Sequence, residues 1–227
     1  MVRWQWYEQE AEVRQAATQA IAQAAAAAIK ARGAFRLVLA GGSTPRAVYQ
    51  TLNALPTDWS KWYVYFGDER VLPVDHPDRN SVMAQSAWLG ESPIPLHQIH
   101  PIPTECGLET ARARYMQILA PLGAFDLVLL GLGEDGHTAS LFPGHDFGTA
   151  EDASDVMMVM DAPKPPPQRI SLSAQRLSNA HQVLFLVAGA GKLEPVQRWM
   201  SGEAIPAASI SCANGVDVLL DRAAWPD

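Results

Sequence analysis

A chain of 227 residues and 24.6 kDa is sized for one domain, and such a length buries roughly 70–75% of its unfolded surface without disulfide or metal staples. Hydrophobic residues make up 48% and charged residues 18%, which excludes an intrinsically disordered chain. A formal charge of -7 and a pI of about 5.3 leave no broad basic face, so nucleic acid and anionic membrane are excluded as expected partners. An anionic ligand would need a local cluster of Arg, Lys and backbone N–H groups.

The two cysteines, Cys106 and Cys212, form no Cys-x-x-Cys pair, which argues against a disulfide framework and a zinc site and favours a reducing compartment. Met1 to Glu8 lacks the apolar stretch of a signal peptide. The alanine-rich stretch from Ala16 to Ile29 is too short and too weakly apolar to span a bilayer, so the expected location is the cytoplasm.

In chain order, residues 10–31 read as one long helix with Val13, Ala17, Ile21 and Ala24 at helical spacing, stopped by Gly33. Residues 35–40 form an apolar run ending at Gly41-Gly42, as a buried strand would. Ser43 or Thr44 is placed to cap a helix with Pro45 at its first position, running to about Leu55. A second buried strand, 62–66, leads into Gly67-Asp68-Glu69-Arg70. A loop rich in Pro, Asp and His precedes a helix from Asn80 to Trp88, and a further helix is expected over 107–119. Strand 125–130 runs into Gly131-Leu132-Gly133-Glu134-Asp135-Gly136-His137. Extended segments at 156–160 and 170–172 flank the breaker Lys164-Pro165-Pro166-Pro167, and a short helix follows at 174–179. Strand 183–187 ends in Gly189-Ala190-Gly191-Lys192 and a helix to about Met200, and strand 216–220 closes the sheet. Strands alternating with helices over residues 1–227 predict a single α/β layered domain with a mostly parallel sheet covered on both faces.

In such a sheet ligands bind where strands end and helices begin. Four apolar strands here end in polar loops, at Gly41–Pro45, Gly67–Arg70, Gly131–His137 and Gly189–Lys192, and parallel strands carry all four to one edge. Gly41, Gly42, Ser43 and Thr44 suit an anion site through close backbone approach, hydroxyl donors and a helix N-terminus, although the same residues also suit an ordinary capped turn. Proline at position 45 excludes a Gly-x-Ser-x-Gly nucleophile elbow. Residues 131–136 match Gly-x-Gly-x-x-Gly, but Asp135 and His137 bracket the last glycine, where carboxylate would repel a pyrophosphate. A carboxylate and an imidazole there suit proton transfer on a small substrate, and equally a tight turn with a hydrogen-bonded Asp. Leu186 stands where a Walker loop needs glycine, leaving Lys192 as a single phosphate contact or a solvated lysine. Asp68 with Arg70 reads as a site pair or a structural ion pair, and Arg169 as a site cation or a surface residue. The other histidines lack metal-ligand spacing, and no metal is expected.

Together these loops resemble the 6-phosphogluconolactonase family. The resemblance rests on Ala40–Pro45, Gly67–Arg70 with Leu72-Pro73 and Asp78-Arg79-Asn80, the unbroken run Gly131–Gly144, Lys164–Ser171, and Gly189–Lys192, in the family's order. The run continues from Asp-Gly-His as Thr138-Ala139-Ser140-Leu141-Phe142-Pro143, the lactonase form rather than that of the related deaminases. Gly191 departs from the pattern, where a larger, often acidic residue is expected. The resemblance implies a three-layer αβα Rossmann-like fold and a small sugar-phosphate lactone as substrate, hydrolysed without an organic cofactor. It further implies His137 as general base, with Asp68 orienting water, imidazole or a sugar hydroxyl. Arg70 would clamp phosphate or stabilise an oxyanion. Gly41, Gly42, Ser43, Thr44, Asp135, Gly136, Arg169 and Lys192 would contact the substrate. A sugar-phosphate deaminase or isomerase on the same fold and a non-catalytic sugar-phosphate sensor are the competing readings.

Overall fold

The structure is a computed structural model and describes residues 1–226. It opens on β1 (Val2–Tyr7), an edge strand absent from the sequence reading, followed by α1 (Glu10–Arg32). The Glu12 carboxylate accepts from the Gln9 N–H at the start of α1, and Gly33 ends the helix in the left-handed conformation with φ 74°. Val13, Ala17, Ile21, Ala25 and Ala28 form its buried stripe. Next come β2 (Phe35–Leu39), α2 (Ser43–Tyr49), β3 (Trp62–Phe66), β4 (Asp68–Arg70), α3 (Asn80–Ala84), β5 (Ile99–His100) and α4 (Leu108–Leu119). The second half comprises β6 (Phe125–Gly131), β7 (Val156–Val159), β8 (Arg169–Leu172), α5 (Ala174–Ser178), β9 (Ala180–Val187), α6 (Leu193–Met200) and β10 (Val216–Asp221).

Seven strands form one parallel sheet in the order β1-β10-β9-β6-β2-β3-β5, flanked by helices, the α/β architecture expected. The four apolar strands are its contiguous centre, β9-β6-β2-β3, buried along nearly their whole length. From β2 the chain winds outward through β3 to β5, and from β6 it winds the other way through β9 to β10. The direction of winding therefore reverses between β2 and β6, where an open α/β sheet leaves a crevice at its carboxyl ends.

Several local expectations need correction. Residues 216–220 do not close the sheet, because β1 pairs outside β10 in parallel register from Val2↔Val216 to Tyr7↔Asp221. Asp68–Arg70 is a strand rather than a loop, and the extended segments near 156 and 170 join it instead of the main sheet. They form a separate antiparallel sheet, β4-β8-β7. The cap of α2 is Gly42, at φ 106°, and not Ser43 or Thr44; the helix stops at Tyr49, with a 3-10 turn at Leu52–Ala54 beyond it. The helix from Asn80 continues past Ala84 as a π-helical turn, Gln85–Leu89.

The main hydrophobic core draws on residues from Val13 to Ala224, and Phe142, Val159 and Ala162 form a small separate cluster. Trp4 packs edge-on against Trp199 at 5.1 Å, whereas Trp6 stacks at 6.4 Å on Trp225 and stays 44% exposed. No helix among the described residues is long and apolar enough to cross a membrane.

Candidate active site

The crevice between β2 and β6 opens into a cavity that draws on every loop the sequence singled out. Leu39 to Gly42 and Leu130 to Gly133 form its floor. Around these stand Asp68, Arg70, Asn80, His137, Lys164, Arg169 and Lys192. Ser43 faces a neighbouring cavity shared with Gly42, Arg46, Arg70 and Asn80, and Thr44, Asp135 and Gly136 lie outside the lining of the main one.

Gly133 to His137 form a tight turn in which the Gly133 N–H donates to the His137 carbonyl at 2.7 Å. The turn folds the imidazole back over Gly133 so closely that a Cβ there would lie 2.0 Å from Nδ1, which is why the position is glycine. Asp135 bonds to His137 Nδ1 and accepts from the His137 backbone N–H at 3.2 Å. This corrects one of the roles offered for Asp68: the carboxylate orienting the imidazole is Asp135. Burial pushes the Asp135 carboxyl up, but the bond and charge of His137 outweigh it and hold the group below the usual carboxylate range. With Nδ1 engaged, Nε2 is the nitrogen left for chemistry, and no partner bonds to it among the described residues.

Asp68 is buried and fixed at both oxygens: Asn80 Nδ2 donates to Oδ1 at 2.9 Å and Ser140 Oγ to Oδ2 at 2.6 Å. It makes no ion pair with Arg70. The next residue, Glu69, points away into full burial. Its carboxylate accepts from the backbone N–H groups of Arg70, Asn80 and Ser81 at 2.8–2.9 Å and meets Arg79 Nε at 3.5 Å. Glu69 thereby ties β4 to the start of α3 and sets Asn80 beside the cavity.

The cations are arranged against simple electrostatics. Arg70 and Arg169 stand directly opposite each other across β4 and β8, a like-charge pairing that costs stability unless an anion offsets it. Arg70 Nη1 donates to the Asp78 carbonyl at 2.7 Å, while its buried Nε has no hydrogen-bond partner among the described residues. Arg169 is buried rather than superficial, and it donates to the carbonyls of Lys164 at 2.8 Å and Pro166 at 3.2 Å. Burial lowers its pKa, Asp68 opposes the shift and Arg70 adds to it. The Phe142 ring lies between the two halves of the site, 4.7 Å from the His137 ring and 5.4 Å from the Arg169 guanidinium. Lys192 is half-buried. Its pKa falls below the ordinary lysine value because of burial and nearby Lys164, with Glu134 and Asp135 opposing.

Asn80 and Lys164 were not anticipated as site residues. Asn80 heads a helix whose placement depends on the buried Glu69, and Lys164 belongs to a proline run that reads only as a breaker. The glycine spacing at Gly41 carried a signal for the first, since a Cβ there would meet the Asn80 amide at 2.1 Å.

Residues 8–219 match the family model described as glucosamine-6-phosphate isomerases/6-phosphogluconolactonase. The chain belongs to this family. A curated 6-phosphogluconolactonase of Mycobacterium tuberculosis is 37% identical over 224 residues, covering 91% of this chain and 90% of the relative. One from Synechocystis is 39% identical over 188 residues, covering 79% and 77% respectively. The solved 6-phosphogluconolactonase of Trypanosoma brucei superposes with a TM-score of 0.89 at 27% identity, over 99% of this chain and 97% of that one. Within the family the chain is thus a hydrolase of the lactonase group.

Proposed function

We propose that the chain, as a single domain, hydrolyses 6-phospho-D-glucono-1,5-lactone to 6-phospho-D-gluconate, the lactone-opening step of the oxidative pentose phosphate pathway. The observation that carries this reading is an imidazole held at Nδ1 by a carboxylate while its ring faces the same cavity as Arg70, Lys164, Arg169 and Lys192. That combination suits a phosphorylated substrate with one bond to be opened by water. The cytoplasm is the proposed setting, which the two free cysteines suit.

A δ-lactone is an activated ester, so a positioned water, a base and charge stabilisation suffice without a covalent nucleophile. His137 Nε2 takes a proton from water as its oxygen bonds to the C1 carbonyl carbon. The carbonyl π electrons move onto oxygen, giving a tetrahedral oxyanion. Collapse reforms the carbonyl and breaks the bond from C1 to the ring oxygen, which receives the proton from the imidazolium. Asp135 keeps Nδ1 protonated and stabilises the transient imidazolium. Asp68, immobilised by Asn80 and Ser140, accepts a hydrogen bond from the attacking water or a sugar hydroxyl. The 6-phosphate sits against Gly41 and Gly42, towards the neighbouring opening where Ser43 lies, with Arg169 and Lys192 as its cations, and Arg70 stabilises the oxyanion or shares the phosphate. Gly136 shapes the turn that carries the imidazole, its N–H donating to the Gly133 carbonyl and its carbonyl accepting from the Ala207 N–H.

The test is lactone hydrolysis followed spectrophotometrically and corrected for spontaneous ring opening, with ammonia release from glucosamine 6-phosphate as the counter-assay. Rapid hydrolysis without ammonia release supports the proposal; the opposite pattern, or binding without turnover, overturns it.

A further inference from the structure

Glu134 has no place in the chemistry above, yet its side chain lies beside Lys164 and the Gly191-Lys192 turn, and both lysines line the cavity. Its Oε2 lies 3.8 Å from Lys164 Nζ. On the other side it lies over Gly191, whose absent Cβ would come within 3.2 Å of Glu134 Oε1 and 3.7 Å of its Cγ and Cδ. The carboxylate therefore stands between Lys164, on the loop before β8, and the Gly191-Lys192 turn after β9, and Lys192 senses the charges of both Glu134 and Lys164. Any side chain larger than hydrogen at 191 would press on it. Glu134 is itself highly exposed, its side chain at 68%, and Lys164 is its one ion-pair partner among the described residues. An exposed pair of this kind is weak and readily exchanged.

We propose that Glu134 is a tethered counter-anion, which neutralises Lys164 and Lys192 in the empty site and is displaced by the phosphate of the incoming substrate. This rests on the proposed lactonase reading and adds to it a determinant of affinity and product release. Substrate and product carry the same phosphate, so an acidic side chain that competes for the same lysines weakens the hold on both and speeds release of the product. A lone negative charge within several ångströms of a bound dianion, in a solvated mouth, changes affinity by about five-fold. Screening should nearly erase the effect when the Debye length falls well below that of physiological salt, about 8 Å.

The experiment is titration calorimetry of 6-phosphogluconate into wild type and Glu134→Gln at low and at high ionic strength, with gluconate as the unphosphorylated control. The variant changes an exposed side chain and should fold normally. The expected result is about five-fold tighter binding of 6-phosphogluconate by Glu134→Gln at low salt, shrinking toward parity at high salt, with gluconate unaffected. Unchanged or weaker binding by the variant, or tightening that persists at high salt, overturns the inference while leaving the lactonase reading intact. Wild type that fails to bind 6-phosphogluconate at all overturns both.

Discussion

The two sheets of this protein divide its labour. The seven-stranded parallel sheet is apolar through its centre and supplies the floor of the cavity, with His137 on the loop leaving β6. The three-stranded antiparallel sheet is short: Val156, Ile170 and Leu172 on β7 and β8 join the core, while Asp68, Glu69, Arg70, Arg169 and Ser171 lie on β4 and β8. The large sheet is held by hydrophobic burial, which tolerates many sequences. The small one is held by apolar burial of Val156, Ile170 and Leu172 together with the buried Glu69 carboxylate and its backbone donors, so its charged residues are part of its frame as well as its working surface. Stability and chemistry are separable in the first and entangled in the second.

The largest expected effect tests the loop of the large sheet, where chemistry should be lost without the fold. His137→Ala should lower kcat by ~10²–10⁴-fold, the usual contribution of a positioned base, with an unchanged melting curve. An unaltered kcat would remove His137 from the role. The converse holds in the small sheet: Glu69→Ala leaves Arg79 without one carboxylate and three backbone N–H groups without an acceptor. It should cost about 3–5 kcal/mol in denaturant unfolding and reduce activity as well. A variant of native stability would show that Glu69 does not hold the sheet together. Arg169→Ala should chiefly raise KM, by about 10–100-fold if a charge-assisted phosphate contact worth 1.5–3 kcal/mol is lost, because ground and transition states share that contact. A fall in kcat at constant KM would move Arg169 from the phosphate to the reacting carbonyl.

A smaller effect is expected from pH. Burial and Lys164 push the Lys192 ammonium below the ordinary lysine value, so its charge is lost earlier as pH rises. Calorimetric affinity for 6-phosphogluconate should decline on the alkaline side as pH passes through that lowered value, and Lys192→Met should flatten the decline. Smallest of all is Arg3→Ala at the sheet edge. Its ion pair with Asp217 at 2.7 Å is partly exposed, so the melting curve should register about 1 kcal/mol or less.

The same division governed what could be read from the residues. The central strands announce themselves as unbroken apolar runs ending in glycine, and their order of alternation with helices implies a shared edge for their loops. β4 and β8 carry no such signal, since Asp68-Glu69-Arg70 looks like a solvated turn until a partner a hundred residues away buries it. Asp135 and His137 were both legible as chemistry-bearing residues. Their pairing was not, because it depends on how tightly the turn closes over Gly133. β1 was missed for a different reason: Val2-Arg3-Trp4-Gln5-Trp6-Tyr7 alternates as a half-exposed edge strand does, but Trp and Gln obscure the contrast between its faces.

β1 also shapes how the molecule is made. Among the described strands it precedes all the others in sequence, yet the strand it pairs with, β10, follows all the others. The edge therefore stays open throughout elongation, with Trp4 and Trp6 lacking their docking sites until Trp199 and Trp225 emerge. Such a closure, spanning more than two hundred residues, makes the docking of β1 a late and slow step of folding.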